Sequence, residues 1–182
     1  MSRLNAVTLE TAAPGKQKEL LEGINKKFGR VPNVFTLLGN SPAALEGYLK
    51  FSEALSGGVL DPKLREIIAI AVAETNTCEY CLSAHTAIGK MVGLNEQELA
   101  WAREQRSEDP KFNAALRFVR IMVTSRAEMA DSDLDDLKKA GFNDGEIAEI
   151  IANVGINIFT NYFNHIAQPE VDFPRVKTAF PV

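Results

Sequence analysis

The sequence has 182 residues, the size of one ordinary domain, with 46% apolar and 24% charged side chains and a formal net charge of −4. Acids and bases are interspersed with no lysine- or arginine-rich run, which argues against nucleic acid as a partner. No apolar stretch reaches the roughly eighteen residues that span a bilayer, and the opening MSRLNAVTLETAAPGKQ lacks the apolar core of a secretory leader, so the expected setting is the cytoplasm, with no membrane partner.

Pro14-Gly15 opens a first predicted helix, in which Leu20, Leu21, Ile24 and Phe28 share one side and Gly29 ends the run. Ser41-Pro42 joins an N-cap residue to a proline at the first helical position. Leu45, Leu49, Ser52 and Leu55 then recur at helical spacing as far as Gly57-Gly58. Asp61-Pro62 repeats the device and starts a strongly apolar helix to about Glu74, and another helix begins near Cys78. Asp109-Pro110 repeats it again ahead of Phe112, Leu116, Val119 and Val123.

Two corners resemble each other. Gly93-Leu94-Asn95-Glu96-Gln97-Glu98-Leu99 and Gly141-Phe142-Asn143-Asp144-Gly145-Glu146-Ile147 each read as a glycine ending one helix, an Asn capping the next, and a Glu completing a capping box. They are either two uses of a common turn or the marks of a duplicated helical hairpin. The last helix sets Asn153, Asn157, Asn161 and Asn164 in one band beside Ile147, Ile151, Val154 and Ile158. The amides are expected to hydrogen-bond at a helix or subunit contact, with His165 a structural histidine. Trp101, Phe159, Tyr162 and Phe163 read as core or interface.

The predicted fold is therefore all-α, about eight helices in a single domain. Residues 1–58 form an N-terminal helical layer, 59–167 the core, and 168–182 an extended tail expected to pack on a neighbouring subunit.

Cytoplasmic proteins seldom hold structural disulfides, so the two cysteines of Cys78-x-x-Cys81 point to transient redox chemistry or metal binding. On a helix starting at Cys78, Cys81 and His85 fall with it inside an arc of about 60°. Free N–H groups in a first turn stabilise a thiolate, and a nearby imidazole can take the thiol proton. Glu66 is followed on its own face by Ala69, Ile70 and Ala73, so its carboxylate is expected to be partly buried and to need a partner. His85 is the candidate. A zinc ion held by Cys78, Cys81 and His85, with Glu66 or water as fourth ligand, is the competing reading. Structural zinc sites, however, usually draw on two separated ligand pairs. Two buried cysteines without function are the bland one.

The spacing Glu66-x11-Cys78-x2-Cys81-x3-His85 resembles the signature of the alkylhydroperoxidase D-like group, within the carboxymuconolactone decarboxylase superfamily. The longer N-terminal region is similar to that group's peroxidase-related members. The resemblance implies an all-helical fold assembled as intertwined homo-oligomers (dimers, trimers or hexamers) with thiol-dependent peroxidase activity. It implies Cys81 as the peroxidatic thiol, Cys78 as the resolving thiol, and His85 with Glu66 as a proton relay. Tyr80 stands where the best-characterised members carry a histidine; it is a possible accessory group that hydrogen-bonds but does not titrate near neutral pH. The decarboxylase branch typically lacks the CxxC pair, which argues against decarboxylation. The implied partners are a small hydroperoxide and a dithiol reductant or reductase protein, with no cofactor and no metal. Two other readings use the same residues: a dithiol–disulfide carrier that reduces a partner protein, and a zinc-binding structural oligomer.

Overall fold

Each predicted start signal caps a helix in the computed structural model, which describes residues 2–179. Among those residues the order is α1 (Lys16–Phe28), α2 (Asn33–Leu38), α3 (Pro42–Ser56), α4 (Pro62–Thr75), α5 (Glu79–Met91), α6 (Glu96–Arg103), α7 (Pro110–Thr124), α8 (Asp131–Lys139) and α9 (Asp144–Ala167), with no strand. The Ser41 hydroxyl accepts from the Ala44 N–H, the Asp61 carboxylate from Lys63, and the Asp109 carboxylate from Lys111 and Phe112. No helix among the described residues is long and apolar enough to cross a membrane.

The described residues form one helix more than the eight expected. The additional one is α2, whose six residues follow Pro32 and are too few to show a helical period. Its Val34, Phe35, Thr36, Leu37 and Leu38 are all buried, so tertiary packing rather than local signal makes it helical.

The centre of the molecule is α4. Its sequence is apolar nearly all round, the pattern of a helix enclosed by others, and it runs between two apolar clusters. Ile67, Ile70, Ala71 and Ala73 face a cluster with Leu21, Ile24, Phe35 and Leu45 of the N-terminal helices and Leu82 of α5. Leu64, Ile68 and Val72 face a second cluster with Phe118 and Val119 of α7, Leu137 of α8, and Ile150 and Val154 of α9. Residues 1–58 thus share a core with the reactive helices.

The two similar corners belong to a duplicated unit. Asp61-Pro62-Lys63 recurs 48 residues later as Asp109-Pro110-Lys111, and Gly93, Asn95 and Glu98 recur at the same offset as Gly141, Asn143 and Glu146. Interactions repeat as well. Lys63 bridges Glu98 at 3.3 Å and Lys111 bridges Glu146 at 2.9 Å. Lys90 bridges Glu96 at 2.7 Å and Lys138 bridges Asp144 at 3.0 Å. Gly93 and Gly141 have φ of 91° and 92°, and both Asn caps form complete capping boxes. One common turn used twice would not repeat the ion pairs, so the hairpin reading stands. The copies differ where α5 begins: its first turn, Glu79–Leu82, corresponds to residues 127–130, which lie outside α8.

The C-terminal segment, expected on a neighbouring subunit, lies on its own chain instead. Val171, Phe173 and Val176 pack against the first apolar cluster. Asp172 pairs with Arg30 and accepts from the Asn33 N–H, and the Val176 N–H donates to the Ser83 hydroxyl. Val7, Leu20 and Tyr48 pack against the same cluster.

Candidate active site

The corner between α4 and α5 builds the site. The Cys78 N–H donates to the Ala73 carbonyl at 2.8 Å across Thr77, which takes a left-handed φ of 54°. Closing α4 in this way leaves no spacer, and Cys78 becomes the N-cap of α5, its sulfur facing the Cys81 N–H at 3.4 Å. Cys78 and Cys81 are joined as a disulfide with Cα atoms 5.4 Å apart, and each is 3% exposed.

One helical turn after Cys81, the His85 ring hydrogen-bonds through Nδ1 to Glu66 Oε2 at 2.8 Å. The pair is largely shielded, with side-chain exposures of 21% and 16%. A carboxylate accepts only, so Nδ1–H donates to it, and Nε2 is the ring nitrogen that Glu66 does not engage. Behind the pair stands Tyr48 of α3, between Phe35 and Phe159 with ring centroids 5.7 Å and 6.3 Å away. Burial, and then the charge of Glu66, push its phenol up to about 12, so it stays neutral. The four residues predicted from spacing are brought together: the two sulfurs bridge, and the imidazole is held by the acid from the neighbouring helix.

Residues 42–124, which run from α3 to α7 and contain all four, match the carboxymuconolactone decarboxylase family. The fold resembles that of the alkylhydroperoxidase AhpD core of an uncharacterized peroxidase-related protein from Ralstonia eutropha JMP134. That likeness has a TM-score of 0.84 at 24% identity, over 94% of this chain and 92% of that one. It also resembles the debrominase Bmp8, with a TM-score of 0.79 at 21% identity over 93% and 92% of the two chains. An uncharacterized protein of Haemophilus influenzae is 41% identical over 69 residues, which span 37% of this chain and 56% of that protein. Residues 42–124 are thus similar to the carboxymuconolactone decarboxylase family, on a fold like that of the alkylhydroperoxidase AhpD core.

Two further side chains adjoin these four residues. Tyr48 is one. The other is Asn164 of α9, whose Nδ2 donates to Cys81 Sγ at 3.1 Å and approaches Cys78 Sγ at 4.0 Å. Only part of the asparagine band behaves as expected. Asn153 and Asn157 bond back to carbonyls one turn earlier in α9, and Asn161 accepts from Asn76 at the end of α4. His165 also bonds to Asn76, through its carbonyl, as a structural histidine should. Asn164, the last of the band, reaches the dithiol instead.

Tyr80 departs from the accessory role suggested for it. Its hydroxyl donates to Asp172 at 2.8 Å and accepts from the Val34 N–H at 3.2 Å, on the flank of α5 away from Cys81 and His85. Burial holds its phenol well above the ordinary range. Tyr80 anchors the C-terminal segment. Among the described residues no three His, Cys, Asp or Glu side chains converge as metal ligands. Two open clefts, about 290 and 510 Å³, lie between α7 and α8 and beside Trp101; neither is lined by the cysteines or His85.

Proposed function

We propose that the protein is a thiol-dependent peroxidase that reduces small organic hydroperoxides with the Cys78–Cys81 pair. The observation that carries this reading is the Glu66–His85 hydrogen bond, which holds an imidazole one helical turn from a buried cysteine. Burial of both sulfurs favours a small substrate over a partner protein's disulfide, which supports a peroxidase over a protein-reducing carrier.

The cycle follows from these groups. His85 Nε2 takes the Cys81 thiol proton, and the thiolate attacks the terminal oxygen of the hydroperoxide. The O–O bond breaks, an S–O bond forms, and the imidazolium returns its proton to the departing alkoxide, so that alcohol leaves and Cys81 is a sulfenic acid. The Cys78 thiol then displaces water from that sulfenic acid and closes the disulfide. A dithiol donor restores both thiols by exchange and is itself oxidised. Glu66 fixes the ring's tautomer and stabilises the imidazolium. Such a cycle consumes reducing equivalents and suits the cytoplasm, and the exposed apolar side of α9 is the surface through which copies would associate.

The test is thiol titration of the reduced protein before and after an organic hydroperoxide. Two thiols should disappear per peroxide consumed. Cys81→Ser should consume none, while Cys78→Ser should consume one equivalent and stop at a trappable sulfenic acid. Full turnover by Cys81→Ser would refute the assignment. The bromopyrrole bound in one Bmp8 complex serves as counter-probe; turnover of it without any turnover of hydroperoxide would move the protein to another substrate class.

A further inference from the structure

We infer that Asn164 of α9 is the thiolate-stabilising donor of the site and selects Cys81 as the attacking sulfur; this rests on the peroxidase reading for its consequence, though not for its test. The two sulfurs have different nearest donors, the Asn164 amide lying 4.0 Å from Cys78 Sγ and 3.1 Å from Cys81 Sγ. Cys78 Sγ faces the Cys81 backbone N–H at 3.4 Å, while Cys81 Sγ takes the Asn164 amide at 3.1 Å, a donor delivered by another helix. Disulfide sulfur is a weak acceptor and a thiolate is a strong one. The contact therefore strengthens when Cys81 ionises, and it favours the reduced, charged form over both thiol and disulfide.

A second observation shows that the amide is not there to complete the packing. Asn164 is 6% exposed and its Oδ1 has no hydrogen-bond partner among the described residues. An orphaned buried acceptor destabilises the fold, and a leucine of similar size would fill the space without it. The neighbouring amides show the difference: Asn153 and Asn157 spend their N–H groups on their own helix. Of the titratable groups on the elements around Cys81, Glu66 is held by His85, Glu74 by Arg103, Lys63 by Glu98, Glu79 by Arg175, Lys90 by Glu96 and Tyr80 by Asp172. Arg65 bonds to the Leu55 and Ser56 carbonyls, Tyr48 of α3 stays neutral, and His165 of α9 is turned to the Asn76 carbonyl. Asn164 is thus the neutral donor among them, and its effect persists at any pH at which His85 is uncharged.

The experiment measures alkylation of Cys81 by iodoacetamide as a function of pH in full-length Cys78→Ser, with and without Asn164→Leu. The leucine variant should move the thiol's midpoint up by about one unit, which is about tenfold slower alkylation below it. An unchanged profile would overturn the inference. Should the leucine variant fail to fold, the side-chain amide resonances of Asn164 in the Cys78→Ser protein decide. They should shift with the Cys81 midpoint, and resonances blind to that titration would overturn it equally. No peroxide enters this test, so a protein that consumes no peroxide yet shows the shift would lose the proposed function and keep the inference.

Discussion

His85 lies one helical turn after Cys81, and the Glu66 carboxylate hydrogen-bonds to its ring. Whatever Glu66 contributes therefore passes through the ring. His85→Ala should slow oxidation of the reduced protein by hydroperoxide by about 10²-fold, the lower range for a positioned base. Glu66→Gln should slow it by about tenfold, since the amide leaves the imidazolium without its counter-charge. The double variant should be no slower than His85→Ala alone, because the two act as one unit. Stopped-flow measurement of the three rates checks this, and additive losses would mean an independent role for Glu66. These four residues were legible in the sequence because three share a helix face and the fourth sits on an otherwise apolar one. Asn164 and Tyr48 were not legible. Both come from distant segments, and Asn164 looks like its three neighbours in the band until α9 is laid across the start of α5. Tyr80 misled for the opposite reason: its place beside Cys81 in sequence becomes the far flank of a helix.

At the scale of the element, local signals did well wherever a cap and a period coincided, and α2 escaped because it has neither length nor a side-chain cap. The capping boxes can be tested by pH. The Asn143 N–H, and then the Lys111 ammonium, hold the Glu146 carboxyl below its usual range. A group depressed in the folded state stabilises above its unfolded value and loses that contribution as pH falls through the folded one. Glu146→Ala should therefore lower stability by about 1 kcal/mol at pH 7, a fall in Tm of about 2–4 °C. The gap between variant and parent should close as pH drops below the ordinary carboxylate range. Thermal melts at pH 7 and pH 3 read both effects, and a gap that persists in acid would contradict the assignment. Within α1, Gly23 has nothing within 4 Å of an added Cβ, so Gly23→Ala should stabilise by about 0.5–1 kcal/mol.

Over the whole molecule, two surfaces follow from how α9 and the C-terminal segment are used. Asp172 ties that segment to Arg30, the Asn33 N–H and the Tyr80 hydroxyl. Asp172→Ala should cost about 2 kcal/mol, since it orphans a buried phenol and a backbone N–H, while the Cys81 alkylation profile stays in place. A shifted profile would return Tyr80 to the reactive group. On α9 the polar band faces inward, while Ile151, Phe159, Tyr162 and Ile166 form an exposed stripe on the other side, with Tyr162 and Ile166 58% and 67% exposed. If copies associate there, Tyr162→Glu with Ile166→Glu should reduce the sedimenting species to a monomer; unchanged sedimentation would place the interface elsewhere. Sequence reading set the amides beside the aliphatic stripe, and both are turned inward: the four amides, Ile147 and Val154 are buried, and of that stripe Ile151 is exposed.

The 48-residue repeat has a consequence for how activity is distributed. The residues that hold each hairpin's shape (Asp61, Pro62, Lys63, Lys90, Gly93, Asn95 and Glu98, with their partners from Asp109 to Glu146) include none of the four candidate site residues. At the reactive positions the second hairpin carries Ala114, Arg126, Met129 and Asp133. Scaffold and reactivity are written in separate letters, so either can drift while the other is kept. The chain already contains a second hairpin of the same build that lacks these four side chains and whose second helix begins one turn later.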